Sequence, residues 1–201
     1  MSQQSRSQET QAIFIDTVGR HLMERGETAL KLSGICTEVG MTQTAIYYHF
    51  GSREAVIDAA YLHLFHEITQ ASLSAWTSIA SEKTPTTMFN RYVALRDDAS
   101  SFQLHRYRQL MHLRILSAST VRRTFKVKYD AANAAYMASL TNIFEVVQER
   151  GLLNTKVSAR QLAMMVQYAM VSQSFWGHST SPEELDEWDA TMRQLFDLIT
   201  V

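Results

Sequence analysis

The chain has 201 residues, 46% of them hydrophobic and 19% charged, enough apolar material for one large domain or a small domain plus a larger one. That balance excludes extended disorder, and 2 Pro with 7 Gly leave too little turn chemistry for an all-β sandwich or barrel. The single cysteine, Cys36, excludes an intrachain disulfide framework and a multi-cysteine zinc site, and no run of 18 apolar residues is available to span a membrane. The expectation is a cytoplasmic all-α protein of about nine helices, with no membrane contact and no cofactor. The net charge of −1 is unevenly spread: residues 99–129 hold seven Lys/Arg and no acid, and residues 130–201 hold four Lys/Arg and nine Asp/Glu.

Five of the glycines fall in the first 51 residues, so short helices with tight connections come first and long ones follow. The spacing of Phe14, Val18 and Leu22 predicts a helix over 8–24, ended by Gly26 in the left-handed conformation. Thr28 is the expected N-cap of a second helix carrying Leu32, Ile35 and Val39, which Gly40 stops. Thr42 caps a very short third helix, and Gly51-Ser52 ends it and caps a long fourth helix over 53–79. Thr84-Pro85 opens a fifth helix. Ser100-Ser101 and residues 117–120 read as breaks, and Gly151 ends a long helix that starts near Val121. Ser158 with Gln161, and Ser181 with Pro182 and Glu184, have the capping-box pattern of two final helices.

The informative stretch runs from Thr28 to Arg53. Two helices joined by a Gly-containing turn make a helix-turn-helix candidate. Packing Ile35, Cys36 and Val39 against Met41, Ile46 and Phe50 leaves Gln43, Thr44, Tyr47 and Tyr48 on the outer face of the third helix. The run Tyr47-Tyr48-His49-Phe50-Gly51-Ser52-Arg53-Glu54-Ala55, together with Ile35, Cys36, Gly40, Met41 and Thr42, resembles the signature of the tetracycline-repressor (TetR-type) family of bacterial transcriptional regulators. The likeness covers residues 10–60. It implies a helix-turn-helix DNA-binding domain over 1–53, with a flexible polar stretch at 1–7, and a helical effector-binding and dimerisation domain over 54–201. It further implies a homodimer on a double-stranded, palindromic DNA operator, and a small-molecule effector, largely apolar, that releases the operator.

Carried over position by position, the resemblance puts Gln43, Thr44 and Ala45 against base edges. Gln can bond adenine bidentately and the Ala methyl can touch a thymine methyl. Thr42, Tyr47, Tyr48, His49 and Arg53 match positions that grip phosphates or the groove wall, and Thr28 and Lys31 could hold phosphates on the opposite side. The third helix carries no Lys or Arg.

Elsewhere the residues say less. The family's effector pocket gives a candidate pool of Trp76, Met88, Phe89, Tyr92, Tyr107, Met111, Tyr136, Phe144, Met165, Tyr168 and Trp176. The cationic stretch Arg106, Arg108, Arg114, Arg122, Arg123, Lys126 and Lys128 has three readings: a solvated basic face, a grip on an anionic effector, or support for the DNA-facing side of the larger domain. Leu185, Trp188, Met192, Leu195 and Ile199 form an a/d seam, which Leu162, Met165 and Ala169 repeat on the preceding helix, as expected of a four-helix dimer interface. Cys36 reads as a core thiol. His63, His66 and Glu67 share a helix but lack a paired histidine or a third ligand cluster, so they read as a solvated face or an interdomain contact. No catalytic constellation stands out. The rivals are an activator, a regulator without an effector, and a helical binding protein or enzyme that merely contains such a hairpin.

Overall fold

Phe14, Val18 and Leu22 recur on one face of the first helix, and all three are fully buried. In the computed structural model this helix, α1, spans Gln3–Arg25, and Gly26 ends it at φ +77°. The structure describes the backbone of residues 3–97, 111–176 and 182–201, and the side chains of 9–95, 111–169, 186–188 and 190–201. The remaining helices are α2 (Leu32–Glu38), α3 (Gln43–Phe50), α4 (Arg53–Ala80), α5 (Pro85–Asp97), α6 (111–121), α7 (Arg123–Glu149), α8 (Ala159–Trp176) and α9 (Pro182–Ile199). Among the described residues there is no strand beyond one isolated antiparallel bridge, Leu153 to Thr200. No described helix is long and apolar enough to cross a membrane.

Most boundaries follow local cap chemistry. Thr42 Oγ1 accepts from the Ala45 amide (3.2 Å) and Ser52 Oγ from the Ala55 amide (3.1 Å), which starts α3 and α4. Thr84 accepts from the Thr87 amide at the start of α5 (3.2 Å). Ser158 and Gln161 form the reciprocal capping box at α8, with bonds of 3.2 and 2.9 Å. Helix α9 starts at Pro182, and Ser181 lies outside the described residues.

Two expected boundaries fall elsewhere. Thr28 does not cap α2: it is exposed in a turn, and α2 starts after Lys31, whose side chain makes no cap bond. The turn is instead fixed by burial of Leu30 and by the Arg53 guanidinium, which donates to the carbonyls of Glu27 (2.8 Å) and Leu30 (3.3 Å). The break expected at 117–120 lies at Arg122. Ser119 and Thr120 stay helical because their hydroxyls donate back to the carbonyls of Leu116 and Ser117 (both 2.7 Å). The Ser100-Ser101 break lies outside the described residues.

Two buried clusters stack along α4 and α7. The first joins Phe14, Val18, Leu22, Ile35, Cys36 and Ile46 to Val56, Tyr61 and Phe65 of α4, and onward to Met111 and Ile115 of α6 and Phe125 and Tyr129 of α7. The second gathers Ile79, Met88, Tyr136, Leu140, Phe144, Leu153 and Leu162. Helix α4 has 28 residues, a length of about 42 Å at 1.5 Å per residue, and contributes to both clusters.

His112 of α6 is buried in the first layer, its ring edge-on to Phe65 at 6.2 Å, and burial pushes its pKa down. The folded state therefore holds it neutral while the unfolded chain protonates it near 6.5. Stability from this residue is fully present above that pH and is lost as pH falls below it. The expected slope between pH 6.5 and 5 is at most ~1.4 kcal/mol per pH unit. Urea titrations of wild type and His112→Phe should differ in that slope, and equal slopes would dismiss the assignment.

Candidate nucleic-acid interface

The α2–α3 turn is set by a helix stop. Gly40 sits at φ +70°, its amide returns to the Thr37 carbonyl (3.4 Å), and the Met41 amide returns to Cys36 (2.9 Å). These two bonds satisfy the last carbonyls of α2 and turn the chain sharply, a reversal that a residue bearing Cβ adopts with difficulty. Cys36 and Ile46 close the inside of the corner, at 3% and 1% exposure. Burial raises the Cys36 thiol pKa, which keeps it an unreactive core group.

With its inner face anchored by Ile46 and by Phe50 against Phe14 (6.1 Å between ring centroids), α3 turns the opposite face outward. Gln43, Thr44, Tyr47, Tyr48 and His49 are all exposed there, as are Thr42 and, on the neighbouring turn, Thr28 and Lys31. Tyr48 is 86% exposed, a large wetted aromatic surface, and its ring meets that of His49 edge-on (5.5 Å). His49 Nδ1 lies 3.1 Å from Gln11 Nε2, which ties the end of α3 to α1.

Two members of the expected set are placed differently. Ala45 is half-buried, so only part of its methyl is available. Arg53, the first residue of α4, is also half-buried, and its guanidinium is bonded to the two carbonyls of the 27–30 turn, so it holds the α1–α2 connection. Helix α2 is pinned from behind by Glu38, which pairs with Arg20 and with His21 (3.1 Å).

The cationic stretch divides by direction. Arg114 Nη1 donates to the carbonyls of Leu22 and, at 3.5 Å, Met23, the last turn of α1. Arg122 Nη1 lies 3.1 Å from Asp58 and 3.5 Å from Glu27, with its guanidinium 5.5 Å from the Tyr61 ring centre and 5.7 Å from that of Phe125. Burial raises the Asp58 pKa, although Arg122 pulls it back down. Tyr61 donates to Glu27 (3.3 Å), and burial plus that carboxylate push its pKa up to about 12. Arg114 thus ties α6 to the end of α1, and Arg122 ties the α6–α7 joint to α4 and to the turn after α1. Arg123, Lys126 and Lys128 are exposed, while Arg106 and Arg108 lie outside the described residues. Composition could not reveal Glu27 and Asp58 as the partners, because each meets Arg122 only through the fold.

The aromatic and Met pool is scattered. Met88, Phe89, Phe144 and Met111 are core residues, and Trp76 and Tyr92 pack on the distal cluster. Met165 and Tyr168 lie on the surface, at 45% and 65% exposure, which corrects their placement in an enclosed pocket. Tyr107 and the Trp176 side chain lie outside the described residues. Tyr136 of the pool lines a cavity of about 150 Å³ on the α4–α7 seam, together with Phe65, His66, Thr69, Gln70, Leu73 and Ser139.

A family profile described as "Bacterial regulatory proteins, tetR family" matches residues 18–60, the span of the corner and its outward helix. Residues 18–60 carry the DNA-binding region of the tetR family, and the chain is a DNA-binding transcriptional regulator. Solved tetR-family structures share the fold over nearly the whole chain. A transcriptional regulator from Cytophaga hutchinsonii is 16% identical with a TM-score of 0.73, covering 98% of this chain and 97% of that one. A regulator from Haloarcula marismortui is 15% identical with a TM-score of 0.68, covering 96% and 100%. A protein described as a transcriptional regulator from Saccharomonospora viridis, in complex with choline, is 17% identical with a TM-score of 0.67, covering 94% and 96%. No curated protein matches the sequence.

Proposed function

We propose that this tetR-family chain works as a homodimeric repressor in which residues 1–53 hold DNA and residues 54–201 sense a small molecule. The observation that carries the reading is the outward array Gln43, Thr44, Tyr47, Tyr48 and His49 on a helix whose other face is sealed into the core. Gln43 and Thr44 would read bases in the major groove. Tyr47, Tyr48, His49, Thr42 and Lys31 would position the protein on phosphates and the groove wall. A dimer presents two such helices about 34–36 Å apart to successive major grooves, which calls for a palindromic operator.

The effector reading is supported by the cavity on the α4–α7 seam. At about 150 Å³ it suits a small ring or short branched molecule, and Tyr136, Phe65 and Leu73 offer apolar contact beside Thr69, Gln70, Ser139 and His66. Helix α4 runs from this cavity to Ser52, the cap that ends the recognition corner, so an occupant that favours another α4 angle would shift the spacing of the two recognition helices. The S. viridis protein, with its choline, provides a first ligand class to screen.

Selecting bound sequences from a random DNA pool tests the reading. On the selected operator, Tyr47→Ala with His49→Ala should weaken binding to every sequence. Gln43→Ala should relax preference at one or two base pairs, by ~1–3 kcal/mol of discrimination. If the folded Tyr47/His49 double variant binds the operator like wild type, α3 is not the recognition helix in this orientation.

A further inference from the structure

We propose that Asp16, His63 and Glu67 form a site for a divalent transition-metal ion of the zinc type, which fastens α1 to α4. One imidazole nitrogen and one oxygen from each carboxylate lie within 4.8 Å of one another. His63 Nε2 is 3.8 Å from Asp16 Oδ1 and 3.7 Å from Glu67 Oε1. These separations are too long for hydrogen bonds, so the three groups do not satisfy one another. They are close to what a shared ion demands. Zinc bonds of about 2.0–2.2 Å to nitrogen and oxygen place neighbouring tetrahedral ligands about 3.4 Å apart, a closure that small side-chain rotations supply.

His63 Nε2 provides the second observation. The atom is closed off from solvent and has no hydrogen-bond partner, although it faces two anionic groups. The nearest other cation along α1, Arg20, is engaged by Glu38. His63 and Glu67 are one turn apart on α4, and Asp16 reaches them from α1, whose Gly19 lets the helices approach so closely that a Cβ there would lie 3.3 Å from Leu64. A mixed imidazole and carboxylate donor set suits zinc and its neighbours in the first transition row better than magnesium or calcium. Three protein ligands leave room for water to complete the shell. The third ligand, Asp16, is 47 residues before His63 and could not be paired with it by spacing.

The site rests on the α1–α4 contact and not on the DNA-binding reading, so its test uses no DNA. Calorimetric titration of the full chain with zinc chloride, after chelator treatment, should give one saturable site per protomer, and zinc should raise the melting temperature. His63→Ala should abolish both effects. Glu67→Gln and Asp16→Asn, which keep side-chain shape, should each weaken binding at least ~10-fold, since even the partners behind metal ligands carry that much. Asp130→Asn, an exposed carboxylate change on α7, should leave the affinity unchanged. Absence of saturable binding, or equal affinity in Glu67→Gln and Asp16→Asn, overturns the proposal whether or not His63→Ala folds.

Discussion

Arg122→Ala should lower stability by about 3 kcal/mol and loosen the recognition corner from the body of the protein. The side chain stands at the kink between α6 and α7 and reaches two carboxylates from two different segments, Asp58 in α4 and Glu27 in the turn after α1. Its removal leaves the Asp58 carboxylate, with 11% side-chain exposure, in an apolar setting that already raises its pKa. Breaking a buried pair from one side typically costs 3–5 kcal/mol, and the lower end applies here because the pair is not wholly dry. Arg122→Ala combined with Asp58→Asn should recover much of the loss, since no charge is then stranded. A denaturant series across the two single variants and the double variant measures this coupling. Additive losses would mean that the pair contributes packing alone.

The functional consequence is separable. Arg114 of α6 and Arg122 at the α6–α7 joint are polar links to the end of α1 and the turn that follows it. In the proposed function, an effector message that arrives along α4 needs the corner to move with the body. In the Arg122→Ala protein, operator binding should survive at reduced affinity while its response to a ligand in the α4–α7 cavity weakens.

The residues that were legible in the sequence act within one or two turns of chain. Thr42, Ser52, Thr84 and Ser158 cap as expected because a cap bond spans three residues and needs no tertiary partner. Gly40 and Gly51 turn the chain for a reason equally local, at φ +70° and +83°. The outward face of α3 was legible too, since Ile46 and Phe50 mark its inner side. Thr28 misleads because the 27–30 turn is organised by Arg53, which lies more than twenty residues away. Residues 117–120 mislead because serine and threonine hydroxyls can bond back to their own helix as readily as they end one. Arg114 and Arg122 looked like members of a charged run, and only the fold separates them from Arg123, Lys126 and Lys128. The aromatic pool was opaque for the same reason: a ring at helical spacing packs inward in a core or a pocket with the same periodicity.

The paired change Met165→Glu and Leu195→Glu should convert the protein from dimer to monomer at micromolar concentration. The surface it targets is apolar without cover inside the protomer: Met164, Met165 and Tyr168 on α8 are 37%, 45% and 65% exposed, and Leu195 and Leu198 on α9 are 39% and 73% exposed. Not every expected seam position belongs there. Leu162 is buried in its own core at 2% exposure, and Ile199 packs on the same distal cluster, where its carbonyl accepts from the Asn154 amide (2.8 Å). These two point inward because α8 and α9 must first close the protomer. Ala169, Trp188 and Met192 are half-buried between the two directions, and the Leu185 side chain lies outside the described residues. The remaining exposed residues, Met165 and Leu195 among them, support a four-helix contact between two copies. Two glutamates per protomer put four charges into that contact, and desolvating each costs several kcal/mol, so the dimer Kd should rise at least ~100-fold. Because the changes lie on exposed positions, circular dichroism of the variant should match wild type. Operator binding should then collapse, since a monomer offers one recognition helix where the proposed palindromic operator needs two. Sedimentation equilibrium decides it: a double variant that stays dimeric, or a wild type that sediments as a monomer, removes α8 and α9 as the interface.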